Sequence, residues 1–201
     1  MKNSKAFLIA LFSVITFSVT AQETLPVNAT WKDSARFCIR QLKGGAILVR
    51  LHTRAEAIAK LRTIGNTRDA NTIESIQQEE NNEIVQAFRK EFDFCKVYFF
   101  FSDSTDALLS GKHSGFLLND SLQIDPSISV KENFFLIAEK GNPTSLLSET
   151  IVILDQSLKQ LKPPFPYYAQ EPFPGSLVAT NWEEKVKALN KKLILFYRKS
   201  L

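Results

Sequence analysis

The chain has few of the residues that most often carry recognisable chemistry. It holds two cysteines and two histidines in 201 residues, and Cys38 and Cys95 do not form the CxxC motif of a redox dithiol. A zinc site would need all four of these residues to converge without any close-spaced pair. The Gly-x-Ser-x-Gly elbow of serine hydrolases and the glycine-rich phosphate loops are also missing. We therefore predict no metal site and no cofactor, and no motif in the sequence fixes a reaction.

Residues 1–21 carry the three parts of a secretory signal. Lys2 and Lys5 supply positive charge, an apolar run of about 12 residues follows, and the segment ends on small residues of the kind that a signal peptidase reads. The run is shorter than the ~20 residues that a membrane-spanning helix needs, although an uncleaved anchor is the alternative. We predict cleavage before Gln22, export to the periplasm or the extracellular space, and a single globular domain over residues 22–201.

The mature chain also lacks an excess of charge of either sign. Without the two lysines of the signal it keeps 23 basic and 21 acidic residues. This near balance gives no electrostatic basis for binding nucleic acid. No later stretch reaches about 18 consecutive apolar residues, the length expected of a membrane span. We predict a soluble mature protein whose partner is a protein or a small molecule, with neither nucleic acid nor a membrane as a partner.

Hydrophobic periodicity predicts one α/β (or α+β) domain with a central mixed sheet of about five strands flanked by helices. The predicted helices cover residues 30–43, 54–64, 71–92 and 180 to the end of the chain. The predicted strands cover residues 46–52, 95–101, 116–118, 134–138 and 150–154. The continuous apolar sequence of the second strand predicts a central position in the sheet, because both of its faces need cover.

Capping motifs and apolar stripes define the predicted helices. We expect capping boxes at residues 53–56, 71–74 and 180–183. The stripe of the first helix is Trp31, Ala35, Cys38 and Leu42. The stripe of the third is Ile73, Ile76, Ile84, Phe88 and Phe92, interrupted at Glu80. The stripe of the last is Trp182, Val186, Leu189, Leu193 and Phe196, which predicts a packed terminal helix.

The predicted element order resembles that of thioredoxin-like proteins. A strand–helix–strand unit is followed by a later strand pair and a final helix, over about two-thirds of the chain. The resemblance implies a thioredoxin-like domain without its redox pair, because the CxxC is missing. The proline that this fold usually carries directly before the strand at residue 134 is missing too. The likeness is one of element order and carries over no site residue.

Polar residues lie at the carboxyl ends of the two strongest predicted strands. They are Arg50 and His52 for the first strand, and Ser102 and Asp103 for the second. If the two strands are parallel neighbours, these residues reach the sheet edge at which ligands bind in open α/β sheets. A histidine beside a carboxylate can serve as an acid–base pair. The structural alternative is that Asp103 supports the start of the next helix while His52 ends its strand at the surface.

A proline-rich segment at residues 163–174 holds five of the eight prolines, interleaved with aromatic residues. Those aromatic residues are Phe165, Tyr167, Tyr168 and Phe173. Proline restricts the unbound chain, and exposed aromatic residues are frequent contact residues, so one hypothesis is a segment that contacts a partner. The alternative is an extended arm whose rings fill the protein's own core.

Two possibilities stay open for Cys38 and Cys95. An exported protein can join them in a disulfide, worth about 4 kcal/mol in the chain-entropy model. They can also be two small buried hydrophobic residues.

The predicted function is that of a non-catalytic binding or interaction module, because no catalytic motif is present and the proline-rich segment can contact a partner. One alternative is an enzyme with a site at Arg50, His52 and Asp103. The other alternative is the thioredoxin-like domain without its redox pair. A deep pocket with Arg50 and His52 pointing into it favours the enzyme, whereas an exposed aromatic patch favours the binding module.

Overall fold

A computed structural model describes residues 30–143, 149–169 and 181–201. These residues form a mixed four-stranded sheet flanked by α-helices, which confirms the predicted α/β class. The helices are α1 (Trp31–Lys43), α2 (Ala55–Thr63), α3 (Thr67–Glu91), α4 (Thr105–Leu109) and α5 (Trp182–Arg198). The strands are β1 (Ala46–Leu51), β2 (Lys96–Phe101), β3 (Phe135–Gly141) and β4 (Thr150–Leu154). A short 3-10 helix, Ser102–Ser104, joins β2 to α4.

The strand order is β2-β1-β3-β4, with β1 parallel to both of its neighbours and β4 antiparallel to β3. This confirms that the two strongest predicted strands are parallel neighbours. The central position predicted for β2 is wrong, because β2 lies at an edge of the sheet. Its apolar sequence is explained by burial on both faces, with Phe99 in the core on one side and Phe100 in the core on the other.

Residues 116–118 do not form the predicted fifth strand. Leu117 and Leu118 make isolated antiparallel bridges only, of which the first contacts β2 at Phe100. The chain turns back directly afterwards, because the side chain of Asn119 accepts hydrogen bonds from two backbone N–H groups of the following turn. The described sheet therefore has four strands rather than five.

Helix α1 begins at a capping box formed by Thr30 and Asp33. Its buried residues are Ala35, Ile39 and Leu42. Trp31, which the sequence places in the buried stripe, is instead 75% exposed. As the first residue of the helix it lies a full turn before Ala35, the first residue that packs against the core.

Two of the predicted capping boxes are displaced along the chain. Helix α3 begins before residues 71–74, because the side chain of Asn66 accepts a hydrogen bond from the backbone N–H of Asp69. Helix α5 is capped by Asn181, which accepts from the backbone N–H of Glu184 at 2.9 Å. The start of the third predicted box, residue 180, lies outside the described residues.

The core has a layer on each side of the sheet. Helices α1, α3 and α5 cover one face, and the chain around α4 and residues 116–130 covers the other. The burial predicted for Trp182 is confirmed, since it is 9% exposed. In the part of the chain that the structure describes, we find no helix with the length and apolar content that crossing a membrane requires.

Cys38 and Cys95 are both free thiols. Each is partly buried against the helix-covered side of the core. Burial raises the pKa of the Cys38 thiol, and it raises the pKa of Cys95 to about 12. Of the two possibilities left open by the sequence, the structure therefore corresponds to small, partly buried side chains.

Candidate functional site

The carboxyl ends of β1 and β2 open into a cavity of about 610 Å³, which we name the strand-end cleft. All four residues expected at this sheet edge line it: Arg50, His52, Ser102 and Asp103. Residues of α2 as far as Lys60 and the start of α4 supply further lining residues. The convergence follows from the parallel register, in which the last residues of β1 lie opposite the last residues of β2.

Arg50 is fixed within the strand-end cleft by two neighbours. Its Nη1 atom lies 2.7 Å from Glu139 Oε2 on β3, and its Nε donates to Thr105 Oγ1 at 2.9 Å. The two side chains of the ion pair are 21% and 19% exposed, so the contact is shielded from water on most sides. Arg50 therefore connects β1 to β3 and α4, and Glu139 neutralises its charge.

Thr53 links the ends of the two parallel strands. Its hydroxyl donates to Asp103 Oδ1, and its backbone N–H donates to Ser102 Oγ at 3.3 Å. The sequence places Thr53 as the cap of α2, and this expectation is wrong. Arg54 holds the cap position, with a left-handed φ of 54° and no side-chain hydrogen bond to the helix. The Thr53 hydroxyl is directed to Asp103 instead of to the backbone N–H groups of the helix.

His52 and Asp103 share the cleft without forming the hydrogen bond of an acid–base pair. Asp103 accepts from the hydroxyls of Thr53 and Ser102. Among the described contacts, the hydrogen bond of His52 is made by its backbone carbonyl, which accepts from Asn81 Nδ2 at 2.7 Å. The residues are brought together as predicted, but their pairing is different.

Exposed charges of both signs line the strand-end cleft. Arg54, Glu56 and Lys60 come from the α2 side. Asp103 and Asp106 come from the 3-10 helix and α4. All five residues are exposed. These exposed side chains contrast with Arg50 and Glu139, which are paired with each other.

Two polar residues that the sequence analysis did not single out anchor α3 to this edge of the sheet. Gln77 and Asn81 are only 4% and 5% exposed. Gln77 Nε2 donates to Asn81 Oδ1 at 3.3 Å, and Asn81 in turn holds the carbonyl of His52. A signal was available, because both residues follow Ile73 at four-residue intervals and so continue its helical face. The predicted stripe ran through Ile76 instead, which is 60% exposed.

An ion-pair cluster holds α3 against β3. Lys140 Nζ lies 2.6 Å from Glu80 Oε1 and 2.8 Å from Glu149 Oε2, and its side chain is 13% exposed. Burial acts to lower the pKa of Lys140, but hydrogen bonds to Glu149 and Glu80 outweigh it and raise that pKa. The interruption of the apolar stripe at Glu80 is therefore explained by an ion pair.

The described aromatic residues of the proline-rich segment face inward. Phe165 and Tyr167 are 4% and 8% exposed. The Phe165 ring packs edge-on against Phe196 of α5, with ring centroids 6.2 Å apart. Tyr168 is half-buried, and Phe173 lies outside the described residues. The observed burial corresponds to the alternative in which these rings fill the protein's own core.

Within the described residues, no group of three or more His, Cys, Asp or Glu side chains is arranged to hold a metal ion. Comparison with protein-family models, with curated proteins and with solved structures found no match to this chain.

Proposed function

We propose that the protein is a non-catalytic binding module whose strand-end cleft holds a small polar ligand with groups of both charge signs. The observation that carries this proposal is the lining of the cleft, in which exposed basic and acidic side chains surround hydrogen-bonded polar residues. The cavity of about 610 Å³ falls within the range of small-molecule sites. Its position at the carboxyl ends of parallel strands is the usual ligand position in open α/β sheets.

The charge pattern favours a zwitterionic ligand. Arg54 and Lys60 can donate charge-assisted hydrogen bonds to a carboxylate, and Asp103 and Asp106 can accept them from an ammonium group. A ligand with a single charge would pair with the side chains of opposite sign. The side chains of its own sign would then repel it. Arg50 shapes the cleft rather than neutralising the ligand, because its partner is Glu139.

Binding is favoured over the two alternatives by the partners of the candidate reactive groups. The enzymatic alternative needs a hydrogen bond between the His52 imidazole and Asp103, and the described contacts of Asp103 are instead with the hydroxyls of Thr53 and Ser102, both at Oδ1. The thioredoxin-like alternative already lacks the CxxC pair, and thiol chemistry at either remaining cysteine would need a reactive thiolate. Burial raises the pKa of Cys95 to about 12, so its thiol is protonated at neutral pH.

Two alanines of α2 provide a matched test. Ala57 lines the strand-end cleft and Ala59 does not, and both are exposed. We expect glycylglycine, a simple zwitterion, to bind with a Kd of about 1 mM or below by isothermal titration calorimetry. Ala57→Phe should abolish this binding by filling the cleft, and Ala59→Phe should leave it unchanged. Absence of saturable binding, or equal binding by Ala57→Phe, would overturn the proposal.

We also propose that the protein acts after export, with its mature chain beginning at Gln22. The support is the positively charged start of the chain, its short apolar run and the small residues that follow. Intact mass measurement of the exported protein tests this directly. A mass that still includes residues 1–21 would contradict it.

A further inference from the structure

A second cavity, of about 550 Å³, lies between α2 and α3, and we name it the helix groove. Ala55, Ile58 and Ala59 of α2 line it, and Phe101 at the end of β2 also lines it. The α3 side contributes the amide side chains of Gln77, Gln78 and Asn81.

The helix groove differs from the strand-end cleft in the chemistry that it offers. Its charged residues Arg62 and Glu74 lie 2.7 Å apart and neutralise each other across α2 and α3, and its third charged residue, Asp103, lies at the end shared with the cleft. The amides of Gln77 and Asn81 are hydrogen-bonded to each other. What the groove leaves for a ligand is chiefly apolar surface, from the alanine methyl groups, Ile58 and the Phe101 ring.

The two cavities adjoin at the start of α2. Thr53, Ala55 and Asp103 line both of them. The rest of α2 separates them, because Ala57 and Lys60 line the cleft while Ala59 and Arg62 line the groove. A molecule that passes over the first turn of α2 reaches a charged cavity on one side and an apolar cavity on the other.

We propose that the strand-end cleft and the helix groove form one composite site for a peptide of two or three residues that carries an apolar side chain. This inference rests on the proposed function and adds the ligand class. The ammonium and carboxylate groups of such a peptide meet the acidic and basic side chains of the cleft. Its apolar side chain enters the groove, where burial of hydrocarbon supplies additional affinity.

The test compares two dipeptides that differ by one apolar side chain. Glycyl-leucine and glycylglycine carry the same termini, so the groove should distinguish them while the cleft does not. We expect glycyl-leucine to bind wild type about tenfold more tightly, since partial burial of an isobutyl group is worth about one factor of ten. Equal affinities of the two dipeptides for wild type would overturn the inference.

The matched alanine variants separate the two halves of the site. Ala59→Phe should remove the tenfold advantage of glycyl-leucine and leave glycylglycine binding unchanged. Ala57→Phe should remove the binding of both dipeptides. An unchanged preference for glycyl-leucine in Ala59→Phe would contradict the role of the groove, and loss of glycylglycine binding in that variant would contradict the division into two halves.

A neutral analogue distinguishes failure of the composite site from failure of the proposed function of the cleft. N-acetyl-glycyl-leucinamide carries the apolar side chain without terminal charges, and we expect it to bind at least about tenfold more weakly than glycyl-leucine. If Ala57→Phe abolishes glycylglycine binding but glycyl-leucine binds wild type no more tightly than glycylglycine does, the proposed function is supported and the composite site is contradicted. If the neutral analogue binds as tightly as glycyl-leucine, the charged cleft itself is contradicted.

Discussion

Helices α2 and α5 show how differently two helices of one domain are held. Helix α5 has 17 residues, a side-chain cap at Asn181 and the buried residues Trp182, Val186, Leu189 and Leu193. Helix α2 has nine residues, no side-chain cap, and Ile58 as its buried residue. Both cavities of the candidate site lie against α2.

The difference indicates a division between stability and recognition. Burial of its large apolar side chains stabilises α5 against the core. Helix α2 instead exposes most of its side chains, several of them to the strand-end cleft and the helix groove. Ligand-binding elements are commonly drawn from the less stable parts of a fold. The following predictions test whether stability and binding separate in this way.

The largest expected effect is on α5. We expect Trp182→Ala to lower the free energy of unfolding by about 3–5 kcal/mol, because it removes a large buried side chain that also carries the Lys185 cation over its ring. Urea denaturation measures the loss. Trp31→Ala is the matched control, since Trp31 is 75% exposed, and should change stability by less than about 0.5 kcal/mol. Similar losses for both variants would contradict the burial described.

The polar anchor of α3 gives the next largest effect. Asn81→Ala leaves the His52 carbonyl without its described side-chain donor and should cost about 1–3 kcal/mol in the free energy of unfolding. Gln78→Ala, at an exposed position three residues earlier on the same helix, should cost little. If the two variants unfold at the same urea concentration, the Asn81 contact is not stabilising.

Hydrogen exchange compares the two helices within one sample. We expect the amides of α2 to exchange at least about tenfold faster than those of α5, because one buried residue holds α2 and four hold α5. Mass spectrometry of peptides from each helix gives the rates. Equal protection of α2 and α5 would show that the proposed division of stability is absent.

The smallest expected effect separates stability from binding at one residue. Arg54 adopts a left-handed φ of 54°, which glycine accepts without steric cost. Arg54→Gly should therefore keep or raise stability, by no more than about 1 kcal/mol, while weakening glycylglycine binding through loss of the guanidinium. Arg54→Ala should weaken binding equally without the gain in stability. Unchanged binding in both variants would remove Arg54 from the site.

Local sequence patterns predicted most of the elements and the convergence of four site residues. Parallel pairing of β1 and β2 places Arg50 and Asp103 at one sheet edge. Predicting this convergence required only the identity of the two strands and their order along the chain. The periodicity of the last helix likewise predicted the burial of Trp182. Such features depend on neighbours along the chain or on a single strand pair.

The features that the sequence did not predict depend on contacts between distant residues. Thr53 fits a capping box by sequence, but its hydroxyl binds Asp103, fifty residues away. Gln77 and Asn81 look like solvent-facing residues until the end of β1 is placed beneath α3. The apolar residues 116–118 resemble a strand, yet they bridge the edge of β2 without joining the sheet.

The most direct test of the strand-end cleft is a titration of the isotopically labelled protein with glycyl-leucine, followed by amide chemical shifts. We predict that the largest shifts cluster at His52, Thr53, Ala57, Ser102 and Asp103, with a second group at Ala59 and Phe101. Unchanged amide chemical shifts at these residues, or shift changes concentrated on α5, would contradict a ligand site at the strand-end cleft.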